Sequence, residues 1–200
     1  RSGPDPRAEG EQHYLDVRAE DDIKKLAEEF SELDLLINSV GFLHNSERGP
    51  EKSLQSFEPA FFEQNIAINT LPTLMLAKYF ANTFKHGRPA VFATVSAKVG
   101  SIGDNRLGGW TSYRCSKAAL NMALKNISIE WQRRLPKVCV ASLHPGTTDT
   151  ALSAPFQKNV PPAKLFSPVA TANYLLDVIC DLSPEKTGRF WSWDGSEIPW

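Results

Sequence analysis

The chain has 200 residues, 42% of them hydrophobic and 22% charged, with 22 Lys and Arg against 23 Asp and Glu and a net charge of −1. This is the composition of one soluble globular domain with room for a sizeable core, and so balanced a charge gives no electrostatic case for binding nucleic acid or an anionic membrane. The three cysteines, Cys115, Cys139 and Cys180, are widely spaced and form no Cys-x-x-Cys pair. A disulfide framework and a zinc site are therefore not expected.

In chain order, residues 1–12 mix Gly3, Pro4, Pro6 and Gly10 with charges and read as a loop. His13–Val17 reads as a short strand ending in Asp16. Glu20–Ser31 has Ile23, Leu26, Ala27 and Phe30 at helical spacing behind an acidic first turn. Leu33–Asn38 is a short apolar run suited to a buried parallel strand. Residues 42–58 are a polar loop, and one long helix is expected from Pro59 to Lys85. Pro89–Ser96 is a further buried strand. Gly100–Thr111 is a glycine-rich loop leading into a helix from Ser112 to Leu135. Val138–His144 is a strand closed by Pro145-Gly146. Ser167-Pro168 is an N-cap and first helical position of a helix to about Leu182. Gly188–Asp194 reads as the last strand, and its aromatic residues Phe190, Trp191 and Trp193, with Trp200, are expected to pack. Strands alternating with helices predict an α/β fold, doubly wound around a mainly parallel sheet.

Tyr113 and Lys117 stand four residues apart in the predicted helix, one turn from each other on the same face. A tyrosine with a pKa of about 10 has little phenolate at pH 7. A lysine held nearby favours the charged form and would bring the phenol toward acid/base work near neutrality. The spacing alone is a weak signal. Its surroundings strengthen it, because ligands of doubly wound sheets bind beyond the carboxyl ends of the strands. Predicted strands end there at Asp16-Val17, Asn38-Ser39-Val40-Gly41, Ser96 and Pro145-Gly146-Thr147-Thr148-Asp149-Thr150. The histidines are scattered, so no metal site is expected. Trp110 reads equally as a pocket wall or as core.

On these motifs the chain resembles the classical short-chain dehydrogenases/reductases, in order and over nearly its whole length. Tyr113-Arg114-Cys115-Ser116-Lys117-Ala118-Ala119-Leu120-Asn121, Gly100-Ser101-Ile102-Gly103-Asp104-Asn105 and Leu143-His144-Pro145-Gly146 are similar to the C-factor-type carbonyl reductase branch. The resemblance implies a Rossmann-like fold and hydride transfer between a nicotinamide and a carbonyl or alcohol carbon. Tyr113 would be the general acid/base. Lys117 would lower its pKa and bind the nicotinamide ribose, while Asn69 would support a proton relay. Asp16, Val17, Asn38, Ser39 and Gly41 would contact the adenosine and ribose side of the cofactor, and Pro145, Gly146, Thr148 and Thr150 the nicotinamide amide and phosphates. NADP is implied over NAD by Arg1, at the place where an arginine often meets the 2′-phosphate. A small-molecule carbonyl or alcohol is the implied substrate, and a homodimer or homotetramer through helices 59–85 and 112–135 the implied assembly.

Two departures stand beside the resemblance. The substrate-binding serine is usually the second of a Ser-Ser pair, and here the pair is Ser96-Ala97, leaving Ser96 or Ser101 to serve. The Gly-x-x-x-Gly-x-Gly loop that holds the diphosphate is not among these residues. The resemblance places it upstream of Arg1, with the first strand, its helix and the second strand. A chain without that unit is expected to bind cofactor poorly and to expose strand edges. The two expectations for function are an NADP-preferring oxidoreductase and, as the alternative, a catalytically weak scaffold with a regulatory or binding role. No apolar run reaches the ~18 residues a membrane span needs, and no signal-peptide pattern stands in these residues. A cytoplasmic location is expected, or an organellar one if a transit peptide precedes Arg1.

Overall fold

The computed structural model describes residues 10–200, so Arg1 lies outside the described residues. The first helix, α1 (Glu20–Glu28), has Glu20, Asp21 and Asp22 in its first turn, where carboxylates complement the positive end of the helix dipole. It buries Ile23 and Ala27. Strand β1 (Leu35–Asn38) follows, then α2 (Pro59–Asn69), α3 (Leu71–Phe80), β2 (Ala90–Val95), α4 (Thr111–Arg134) and β3 (Val138–His144). The remaining elements are β4 (Thr147–Thr148), β5 (Leu165–Phe166), α5 (Pro168–Cys180), β6 (Arg189–Ser192) and β7 (Glu197–Ile198).

The main sheet has the order β1-β2-β3-β6-β7, parallel except for the β6–β7 pair. A register of Asn38 with Thr94, and of Val95 with Leu143, brings the carboxyl ends of the first three strands to one edge. One face carries the larger core. Ile23, Phe80, Phe84, Phe92, Leu120, Leu124, Trp131 and Val140 pack there under α1, α3 and α4. Trp131 sits at its centre, with ring centroids 5.3 Å from Phe92 and 5.6 Å from Phe84. On the other face Ala93, Ala141 and Leu143 meet Leu175, Val178 and Ile179 of α5. The Ser167 hydroxyl caps α5 by accepting from the Ala170 amide at 3.1 Å, with Pro168 as the first helical residue.

Three sequence expectations are corrected. The strand at His13–Val17 does not form: residues 11–16 carry no regular structure, and 17–18 form a turn. Among the described residues β1 is the sheet edge, and residues 13–17 pair with no strand. As an edge strand β1 is less buried than its apolar sequence suggests, with Leu35 38% and Ile37 41% exposed. Lastly, the long helix 59–85 is broken. Asn69 ends α2, Thr70 departs from helical geometry (φ −113°, ψ −54°), and α3 runs only to Phe80 before a 3-10 turn at Ala81–Phe84. Pro72 explains the first break, because it has no N–H for the Ile68 carbonyl and its ring crowds that carbonyl.

The burial pattern sets a stability expectation. Trp131→Ala, which removes the ring shared by Phe84 and Phe92, will cost about 3–5 kcal/mol in urea unfolding. Leu107→Ala, at a side chain that is 91% exposed, will change stability by less than about 0.5 kcal/mol.

Candidate active site

Helix α4 turns its buried face to the carboxyl edge of the sheet, and Tyr113, Ser116 and Lys117 all lie on that face. Lys117 is fully enclosed. Its ammonium donates to the Val95 carbonyl at the end of β2 (3.2 Å) and stands 5.8 Å from the centre of the Tyr113 ring. The Tyr113 hydroxyl makes no hydrogen bond to a described residue, although the side chain is largely buried. The helix can come this close only because position 100 is glycine. A methyl there would lie 2.7 Å from Lys117 Cβ and 2.8 Å from its carbonyl carbon.

Asn69 ties the pair to the end of β1. Its side-chain oxygen accepts from the Phe42 amide (2.7 Å), and its amide nitrogen donates to the Phe42 carbonyl (2.9 Å) and the Ser116 hydroxyl (2.8 Å). Thr70, in the break after α2, donates to the Ser116 carbonyl at 2.9 Å. The interruption of the long helix thus turns two polar side chains toward the turn between Tyr113 and Lys117. Asn38 is held in turn, donating to Thr73 (2.9 Å) and accepting from the Val40 amide (3.1 Å). Gly41 reaches the same place: a methyl on it would be 3.9 Å from both Lys117 Nζ and Leu152 Cδ2. Ser39 and Gly41 are exposed.

Other expected site residues are engaged elsewhere. Ser96 donates its hydroxyl to Asn121 Oδ1 (2.8 Å), which also accepts from Ser142 (3.0 Å), so it is spent inside α4 and β3 rather than offered beside Tyr113. Ser101 donates to the Pro199 carbonyl. The Asp16 carboxylate accepts from the backbone and side chain of Arg18, and Val17 lies in the turn between them. The Thr148 hydroxyl pairs with that of Thr171 on α5 at 2.8 Å. Thr150 is exposed and begins the segment after β4, its amide donating to Ser153 Oγ at 3.3 Å. Gly146, beside Pro145, has φ +72°, and a side chain there would come within 2.6 Å of Phe166 and 3.1 Å of Trp193. Phe166, Tyr174 and Trp193 form a packed aromatic group, and in the tail Phe190 stacks on Trp200.

The sequence left Trp110 open between pocket wall and core, and gave no sign of its partners. Trp110 adopts a left-handed conformation (φ 52°) directly before α4, its ring 6.4 Å from that of Tyr113 and 4.9 Å from that of Phe156. Phe156 meets the His44 ring, whose Nε2 donates toward the carbonyls of Ala151 and Leu152 at 3.2 and 3.1 Å. Trp110 is therefore a wall of the Tyr113 site. Gly108-Gly109 before it hinted at an unusual turn; the arrival of Phe156 and His44 had no sequence mark. Arg114 fastens this turn by donating to the carbonyls of Gly108, Gly109 and Val99.

The electrostatics correct the simple reading of the pair. Burial pushes the Tyr113 phenol up to about 12 and the Lys117 ammonium down to about 8. Desolvation outweighs the attraction of lysine for phenolate, because both groups have left water. Tyr113 is a protonated phenol at neutral pH. One Lys117 N–H goes to Val95 and its others remain available, a donor set that fits the vicinal hydroxyls of a ribose. The chain thus has residues suited to the nicotinamide-ribose half of a dinucleotide, while no glycine loop for its diphosphate occurs in the sequence.

The lysine shift has a measurable consequence. An unfolded lysine titrates near 10.5 and this one at about 8, so between those values the unfolded chain binds more protons and stability rises with pH. Above about 10 the Tyr113 phenol reverses the slope, since the folded state keeps a proton that the unfolded chain loses. Lys117 therefore contributes a rise of about 2 kcal/mol from pH 8 to 10, opposed above pH 9 by the Cys139 thiol, which burial pushes up to about 12, so Lys117→Met will leave a profile that falls with pH over this range in denaturant titrations.

Comparison with known proteins agrees with this geometry. The family model described as short chain dehydrogenase matches residues 11–161. C-signal of Myxococcus xanthus is 32% identical over 168 residues, covering 84% of this chain and 93% of that protein. The 1-hydroxy-2-glutathionyl-2-methyl-3-butene dehydrogenase of Rhodococcus sp. (strain AD45) is 32% identical over 192 residues, covering 93% and 78%. Among solved structures, an NADPH-bound carbonyl reductase from chicken fatty liver superposes with a TM-score of 0.79 at 26% identity, covering 93% of this chain and 75% of that one. Carbonyl reductase Sniffer of D. melanogaster gives the same TM-score at 23% identity, covering 93% and 76%, and shares the fold. With its Rossmann-like sheet and a Tyr113–Lys117 pair at the carboxyl edge, the chain belongs to the classical short-chain dehydrogenase/reductase family of oxidoreductases.

Proposed function

We propose that the protein is an NADP-dependent carbonyl reductase in which Tyr113 is the proton donor. The observation that carries this reading is the buried Tyr113–Lys117 pair, with a phenol that is protonated at neutral pH and has no hydrogen bond to a described residue. A bound NADPH would supply the hydride to the carbonyl carbon. As charge develops on the substrate oxygen, Tyr113 Oη donates its proton to that strongly basic alkoxide. Lys117 holds the nicotinamide ribose through its free N–H groups and sits where it steadies the phenolate that forms. Asn69 keeps the loop after β1 and the Ser116 turn in register. Asn38, Ser39 and Gly41, with Pro145, Gly146, Thr148 and Thr150, flank the cofactor, and Asp16 and Val17 lie toward its adenine. The Trp110–Phe156 wall favours an apolar carbonyl compound. NADP is preferred to NAD by analogy with the NADPH-bound chicken enzyme and from Arg1.

A dimer through α2, α3 and α4 accords with the apolar side chains exposed there, Leu71, Leu74, Met122 and Ile129. A second reading, a scaffold with a signalling or binding role, is favoured by Ser96 being spent on Asn121 and by the match to C-signal.

The test is NADPH consumption by the protein expressed from its full reading frame, over a panel of aldehydes and ketones. Tyr113→Phe will lower kcat by about 10²–10⁴-fold. Because the Ser96 hydroxyl points to Asn121, Ser96→Ala will lower kcat by less than about threefold, against the hundredfold typical of a lost oxyanion donor. Wild-type turnover no greater than that of Tyr113→Phe on every substrate would decide for the scaffold. Equal affinity for NADH and NADPH would remove the cofactor preference.

A further inference from the structure

Glu51 lies in the polar loop before α2, yet it is only 3% exposed. Its carboxylate accepts from the Ser112 amide through Oε2 (3.1 Å) and from the Ser112 hydroxyl through Oε1. Its own backbone carbonyl accepts from the Trp110 amide at 2.5 Å. Three bonds from one residue thus grip Trp110 and Ser112, immediately before Tyr113. No Lys, Arg or His pairs with the carboxylate among the described residues.

A buried carboxylate without a cation is costly and persists where other donors satisfy it. Here the donors are at the N-terminus of a 24-residue helix, whose first amides have no acceptor within the helix and whose dipole favours an anion. An ordinary helix start takes its acceptor from the N-cap side chain. Trp110 occupies that position in a left-handed conformation and offers none. Glu51, from a distant loop, takes its place. The position of the first turn of α4 is thus set by a residue 61 positions away in sequence. Arg114 holds the other side of the same turn by donating to Gly108, Gly109 and Val99.

We propose that Glu51 is a positioning residue for the Tyr113 phenol: its carboxylate fixes where α4 begins, and so where the phenol stands relative to Lys117 and the loop after β1. This rests on the reading of Tyr113 as the proton donor. A reacting group misplaced by about 1 Å can lose on the order of 10²-fold in rate. Glutamine can keep the grip, accepting from the Ser112 amide with its oxygen and donating to the Ser112 hydroxyl with its nitrogen. Alanine cannot.

The test compares Glu51→Ala, Glu51→Gln and Ser112→Ala by steady-state kinetics and by amide hydrogen exchange. Glu51→Ala will lower kcat at least about tenfold with KM for NADPH within about threefold, and Glu51→Gln will restore kcat to within about threefold of wild type. In Glu51→Ala the Ser112 amide will exchange at least about tenfold faster, while amides of residues 124–131 keep their rates. Unchanged kcat in Glu51→Ala, or equal loss in Glu51→Gln, overturns the proposal. So does unchanged Ser112 exchange, or faster exchange along the whole helix, which would make Glu51 a general stabiliser. Should Glu51→Ala fail to fold, Ser112→Ala removes only the hydroxyl bond. A kcat lowered about threefold or more with local exchange supports the grip, and wild-type values for both refute it. Wild-type protein with no turnover above Tyr113→Phe refutes the enzyme reading alone, and the exchange rates then decide whether Glu51 places Tyr113.

Discussion

Helix α4 must meet the carboxyl edge of the sheet at one depth and with one rotation, and the site follows from that contact. Gly100 allows the backbone of the preceding loop to press against Lys117, where any side chain would collide. On the opposite side Asn69 and Thr70 grip Ser116. Between these two contacts the helix has no freedom to rotate, and Tyr113 and Lys117 are placed by it. The residues that do this are small or polar and buried. Apolar packing by Leu120, Leu124 and Trp131 supplies cohesion further along the same face. Packing of that kind tolerates modest sliding, whereas hydrogen bonds of defined length do not.

Burial then sets the chemistry. The enclosure that fixes Lys117 also pulls its pKa down to about 8, and the Tyr113 phenol rises to about 12. The pair, taken alone, suggests a tyrosine made acidic by its lysine. The folded arrangement gives a neutral phenol and a lysine with unspent donors. Under the proposed function, such a phenol gives its proton to a developing alkoxide, which corresponds to the reductive direction. The cost of enclosing a lysine is carried by the rest of the fold, as is usual where a functional group is held against its preference for water.

Much of the architecture was legible because local and global signals agreed. The apolar run Leu33–Asn38, the Ser167-Pro168 start of α5 and the Tyr-x-x-x-Lys helix each follow from periodicity, capping or spacing within a few residues. The failures have physical causes. His13–Val17 has strand-like residues, but a strand exists only through a neighbour, and none of the described strands lies beside it. The helix through residues 59–85 has the right periodicity, and Pro72 breaks it where Asn69 is needed to face Ser116. Ser96 sits at a strand end as anticipated, yet Asn121 takes its hydroxyl.

The sequence by itself determined the fold class and singled out Tyr113, Lys117 and Asn69 as candidates near the carboxyl edge of the sheet, because these depend on spacing along one element or on the order of elements. Only the tertiary structure decided which hydroxyls are free, which way the two pKa values move, and that Glu51, Trp110 and Phe156 gather around the first turn of α4. Hydrogen-bond partners and desolvation belong to pairs of residues brought together from distant loops. No local pattern encodes them: Glu51 stands in a polar loop, and only its contact with Ser112, 61 positions away, distinguishes it.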